Sequence, residues 1–219
     1  MTKFKCIPLF FLIVFTFFQP LFSQSQNSGL AQWEVLITRQ IKYPIEALRA
    51  RKEGVVVVSL GTDEKGNLRE INLEKKAAPY FDDQVLAAVE SMRHLWSPNM
   101  LEDRKAGGTY FLVYNFIMIQ EGTSGKQERI KSAINLIQKG KADKALKIAD
   151  RLVNENPYDT KSLELRSQIH RQLGMEEEAT TDLLAYQKLQ IQVLNQIDIK
   201  VFGQVSTRQV TGTIPSRSF

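Results

Sequence analysis

Residues 54–60, Gly-Val-Val-Val-Val-Ser-Leu, followed by the run Thr62-Asp63-Glu64-Lys65-Gly66-Asn67 and then by Leu68 to Lys75, decide how the first half of this chain folds. Four consecutive β-branched residues favour an extended backbone, so Val55 to Leu60 predicts a strand. The polar run is a turn whose Gly66 is placed for positive φ. Beyond it Leu68, Glu70 and Asn72 alternate with Arg69, Ile71 and Leu73, which completes a β-hairpin. Upstream, Trp33 to Lys42 has no clear period, and Pro44 opens a short helix to about Arg51, its fixed φ and missing donor costing nothing in a first turn.

After Pro79 the period changes. Phe81, Val85, Ala88, Val89 and Met92 recur at three and four residues, and Asp82 and Asp83 sit where the helix dipole favours acids, so an amphipathic helix runs to about His94. Trp96-Ser97-Pro98 stops it. A polar loop through Gly107-Gly108 leads into Tyr110 to Ile119, a nearly continuous apolar and aromatic stretch that predicts a third strand.

Beyond Gly122-Thr123-Ser124-Gly125 the period becomes helical throughout. Ile130, Ala133, Ile134 and Ile137 form one apolar stripe, and Ala145, Ile148, Ala149 and Leu152 another, with Lys139-Gly140-Lys141 as the turn between them. Gly140 and Gly174 share one spacing with Ala145 and Ala179, and Pro157 closes the first unit. Helix B of the second unit either continues through Leu189, Ile191 and Leu194 or gives way to a strand, since Ile197, Ile199 and Val201 have period two. The tail, residues 201–219, is expected to be poorly ordered.

The 219-residue chain has a formal charge of +5 and 43% hydrophobic residues, which excludes wholly disordered and collagen-like classes. Those averages mix two compositions. Residues 1–24 carry Lys3 and Lys5, an apolar run from Cys6 to Phe18, and Gln19-Pro20 as breakers, the layout of a cleaved signal peptide; a retained inner-membrane anchor is the alternative. The expected location is the periplasm, with membrane contact only if the leader stays. The remaining charges are spread along the chain, which gives no nucleic-acid footprint. The single Cys lies in the leader, so packing alone must stabilise the rest.

No catalytic constellation is visible. His94 and His170 lack partners at metal-ligand spacing, Asp63-Glu64 and Asp82-Asp83 have turn and helix-end explanations, Arg49-Ala50-Arg51-Lys52 reads as a solvated helix end, and no phosphate loop or nucleophile elbow occurs. The expectation is a non-enzymatic protein without metal or cofactor.

Tyr43-Pro44, Ala47, Gly54 before the Val run, Asp63 and Gly66, Ala88-Val89, and Trp96 with Pro98 together resemble the C-terminal domain of the TonB family over about residues 33–119. Val113 departs from that pattern, where many members have Pro, and so does the charged loop from Asn99 to Gly108. The resemblance implies that an extended segment of a protein partner, such as a TonB-dependent outer-membrane transporter, adds to the open edge of the last strand, here Tyr110, Phe111, Leu112, Val113, Tyr114, Asn115 and Phe116. Residues 126–200 are similar to two tetratricopeptide (TPR) repeats, with Ala133 and Ser167 at the small position of helix A and Ala145 and Ala179 at that of helix B. Arg129, Leu136, Leu163 and His170 are the candidate groove residues. The expected fold class is therefore α+β: a small domain of hairpin, helix and third strand, residues 120–125 as a linker, then an all-α repeat domain. Two repeats are fewer than the usual minimum, so something must cap them. The functional expectation is an exported peptide-binding module beside TonB-linked transport. The alternative is a periplasmic scaffold in which the repeats bind and the first domain docks or forms a homodimer.

Overall fold

The computed structural model describes residues 29–119 and 125–202. The expected leader and the end of the tail lie outside the described residues. Among those described, no helix is long and apolar enough to cross a membrane.

The hairpin forms as the sequence predicts, with β1 at Gly54–Thr62 and β2 at Leu68–Lys75 paired antiparallel. Asp63 organises its turn: its carboxylate accepts from the backbone N–H of Lys65 and Asn67 and from the Asn67 and Arg69 side chains. Those bonds, the Asn67 side chain's foremost, hold its pKa down at about 2. Gly66 has a φ of 82°, and Trp96 Nε1 donates to its carbonyl at 2.9 Å, so turn and helix end are tied together. At the start of β1, a Cβ on Gly54 would stand 2.7 Å from Ala77 Cβ and 3.0 Å from Phe81, which explains a glycine there. The two short helices and the long one follow as α1 (Gly29–Thr38), α2 (Ile45–Arg49) and α3 (Pro79–Ser91), and β3 spans Thr109–Ile119.

Helix α1 is not legible in the mixed stretch from Trp33. It is held by tertiary contact: Leu30, Trp33 and Ile37 are buried, Trp33 Nε1 donates to the Met92 carbonyl at 2.8 Å, and the Trp33 and Trp96 rings meet edge-on at 5.3 Å. With α3 it covers one face of the sheet, burying Val56, Val58, Leu60, Leu112, Tyr114 and Phe116.

The C-terminal helices are α4 (Lys126–Gln138), α5 (Ala142–Glu155), α6 (Thr160–Gln172) and α7 (Glu176–Gln192). They form two helix–turn–helix pairs. Gly140 and Gly174 both have positive φ in the turns, and Ala133, Ala145, Ser167 and Ala179 are all buried where helices approach. Asp159 caps α6, accepting from Ser162 N at 3.2 Å. Asp182 is buried with the Arg166 guanidinium bound to both its oxygens, at 2.6 and 2.9 Å, and lies 3.1 Å from His170 Nδ1.

The separation into a mixed domain and an all-α domain is corrected in two respects. Helix α7 stops at Gln192, and Val193–Phe202 forms a fourth strand, β4, which leaves the helical unit and joins the first domain's sheet. The order is β2-β1-β3-β4, with β4 parallel to β3. Val201 and Phe202 thus belong to a strand, against the expectation of a poorly ordered tail from residue 201. The second correction concerns packing: Val57, Phe111 and Val113, pointing away from α1 and α3, pack with Val153, Leu163 and Leu189 of α5, α6 and α7. The sheet is covered on both faces, and it is the cap that two repeats require.

Two expectations follow. Leu163→Ala removes a side chain common to both halves and should lower unfolding free energy by about 2 to 5 kcal/mol, read by denaturant melts. Glu34 of α1 is buried against β3 and β4 and accepts a hydrogen bond from the Asn195 side chain. Burial pushes its pKa from 4.5 up to about 7, with Asn195 and Arg104 opposing and Glu102 adding to the rise. Because the folded pKa lies above the unfolded one, the contribution of protonated Glu34 is fully present below about pH 4.5 and is lost as pH rises through about 7, a difference of about 3 kcal/mol. Thermal melts should therefore show the parent losing several degrees between pH 5 and 8 relative to Glu34→Gln, whose side chain has no proton to lose.

Candidate functional site

Tyr110 to Phe116 lie on β3 as expected, but the edge that the resemblance assigns to a partner is not open. One side of β3 pairs antiparallel with β1 from Gly61↔Thr109 to Gly54↔Phe116. The other pairs with β4, from Phe111↔Val193 to Ile119↔Phe202. All seven side chains are buried, Tyr110, Leu112, Tyr114 and Phe116 toward α1 and α3, Phe111 and Val113 toward the C-terminal helices. The Tyr114 hydroxyl is enclosed, and its pKa is raised by burial and then by nearby Glu34. The physical reason for the correction is backbone demand. A long apolar strand at a sheet edge needs partners for its N–H and C=O groups, and this chain supplies them itself.

Asn115, the one polar side chain in the middle of β3, anchors that self-pairing. Its Nδ2 donates to Asp198 Oδ1 of β4 at 2.9 Å, and its Oδ1 accepts from Asn156 Nδ2 at 3.0 Å. Asn156 Oδ1 in turn accepts from Tyr158 N at 3.0 Å. A chain of amides thus joins β4, β3 and the α5–α6 loop, with each buried polar atom in it satisfied.

Of the four groove candidates, Leu163 and His170 are buried, the first against the sheet and the second beside Asp182. They offer no surface to a partner, because the face of helix A expected to line a groove is used against the sheet and against α7. Leu136 is half-buried against the core of α4, α5 and α6. Arg129 does face open space. It lines a cleft of about 1320 Å³ between α4, the α5–α6 loop and the ends of β3 and β4.

The charges in this cleft fall into two groups. Lys126 pairs with Asp159 at 2.7 Å, Arg129 with Glu155 at 2.7 Å and Lys200 with Asp198 at 3.4 Å. Arg51, Lys75, Lys76 and Lys161, also in its wall, make no ion pair among the described residues, and neither does Glu128. Four unpaired cations against that one carboxylate leave the unpaired charge facing the cleft net positive. On the wall nearest β1, Glu53 accepts from Met118 N at 2.7 Å and is spent on backbone. Lys76, Asn156, Lys161 and Asp198 do not stand out in the sequence because they are distant in the chain and share no motif. Among the described residues no group of three or more His, Cys, Asp or Glu could hold a metal ion.

No curated protein matches this chain. Among solved structures, the NMR solution structure of the Helicobacter pylori TonB C-terminal domain is similar at 24% identity over 41% of this chain and 90% of that one, with a TM-score of 0.28. Residues 39–117 match the family model described as Gram-negative bacterial TonB protein C-terminal, so the segment that contains the hairpin, α3 and most of β3 is similar to a TonB C-terminal domain.

Proposed function

We propose that this protein is a non-enzymatic interaction adaptor of the bacterial envelope, exported to the periplasm, whose partner is an extended acidic segment of a protein bound in the cleft between α4 and the ends of β3 and β4. The match of residues 39–117 supports an envelope role in protein interaction, and a TonB-dependent outer-membrane transporter is the partner class it favours. The observation that carries the reading is the pairing of β3 on both sides. With that edge taken by β4, strand addition to Tyr110–Phe116 would first have to break the ladder and the Asn115–Asp198 bond. The cleft requires no such step. Its unpaired Arg51, Lys75, Lys76 and Lys161, outnumbering Glu128, favour a negatively charged ligand. In this reading the helix pairs are TPR-like, the sheet stabilises them, and the TonB-like domain docks rather than captures.

The test is titration of labelled peptides taken from the periplasm-facing ends of such transporters. Lys76→Glu with Lys161→Glu, two exposed positions without ion pairs, should weaken binding about tenfold and flatten its dependence on salt. Unchanged affinity in this variant, together with a gain of affinity in a chain ending at Gln192, would assign the binding to the β3 edge instead.

A further inference from the structure

The outermost strand of the sheet is β4, and its sequence is complementary to itself. From Asn195 to Phe202 it pairs with β3 without interruption, so its register is regular. Alternate residues direct their amide and carbonyl groups away from β3, and among the described residues no strand receives them. Ile197 and Ile199 lie on the face covered by α1 and α3, whereas Asp198 and Lys200 lie on the opposite face, exposed and 3.4 Å apart along the strand, with Asp198 also accepting from Asn115, so that a second copy's pair would extend this one into a four-charge cluster. Phe202 at the strand's end is 75% exposed.

Two copies of this edge laid antiparallel about a twofold axis through Ile199 place Asp198 opposite Lys200 of the second copy, and Lys200 opposite its Asp198. Ile197 then faces Val201, Ile199 faces Ile199, and Phe202 covers Gln196, as the order of residues from Gln196 to Phe202 requires. Directly opposed residues of an antiparallel pair share a face, so the apolar stripe continues across the dyad on one side and alternating charges form on the other. Sliding the register by two residues sets Asp198 against Asp198 or Lys200 against Lys200. Sliding it by one sets Ile199 against a charge. The charges therefore select one register, and we infer that the β4 edge is a homodimer interface joining two sheets into one of eight strands.

Sedimentation of the protein across a wide concentration range should show a reversible dimer. Lys200→Asp, which sets like charges in opposition twice across the axis, should raise its dissociation constant about tenfold or more while leaving the circular dichroism unchanged. In a Cys6→Ser background, Ile199→Cys should oxidise to a covalent dimer, because directly paired strands bring the two Cα atoms within disulfide reach, whereas Leu184→Cys on exposed α7 should not. A monomer at all concentrations would overturn the inference and give the edge to another occupant. So would a dimer that is indifferent to Lys200→Asp and that Ile199→Cys fails to cross-link.

Discussion

The ladder between β3 and β4 joins residues that are far apart in the chain, Asn115 and Asp198 being separated by 83 positions, and most of the remaining architecture is a consequence of it. Parallel strands cannot be joined by a tight turn, so the chain must cross over one face of the sheet. Here the crossover is the four-helix segment α4 to α7. It lies on the face that α1 and α3 leave bare, where Leu163, Val153 and Leu189 meet Val57, Phe111 and Val113. A sheet covered on both faces wants continuous apolar strands instead of alternating ones. That is why Val55 to Val58 and Tyr110 to Tyr114 read as unbroken runs, whereas β2, exposed on one face, alternates.

The same arrangement resolves the energetics of the short helical array. Two helix pairs leave an apolar end open, and that end is closed by the sheet and not by a further helix. The polar groups buried there are paired: Asn156 holds Asn115 across the junction, and Arg166 holds Asp182 between α6 and α7. Removing one member of such a set leaves a buried charge or amide without its partner, which is costly, so the first pair fixes how the halves meet and the second how the two helices meet, more than either adds to stability.

Local features of the chain are legible where local physics decides them. The β-branched run, the glycine turn, the three-and-four spacing after Pro79 and the paired glycines of the helical half each determine structure within a few residues. Helix α1 is not legible, since Trp33 and Ile37 are helical through contacts with α3 and Trp96 far along the chain. The candidate site divides along the same line. The sequence places Tyr110 to Phe116 on a strand and Arg129 on a helix that borders a cleft, but burial of Leu163 and His170 depends on which helix face meets the sheet. The period of two from Ile197 to Val201 announces a strand without naming its partner, because pairing between distant segments leaves no mark on either alone.

The two outer strands of this sheet differ in a way that bears on what the molecule can meet. On β2, Arg69, Glu70, Glu74 and Lys75 are charged, and the pairing with β1 shifts register twice, at Val57/Val58 and Gly61/Thr62. Charge and irregularity are the usual means by which a sheet edge is kept from recruiting another strand. On β4 the single irregularity lies at the start, between Phe111 and Leu112 of its partner, and the rest keeps one register, with Ile197, Ile199 and Val201 on one face and one charge of each sign on the other. A strand that merely covered β3 would gain from the repeated register shifts seen on β2. From Asn195 onward β4 has none, and its two charges are of opposite sign, so this side of the sheet is the one suited to being paired.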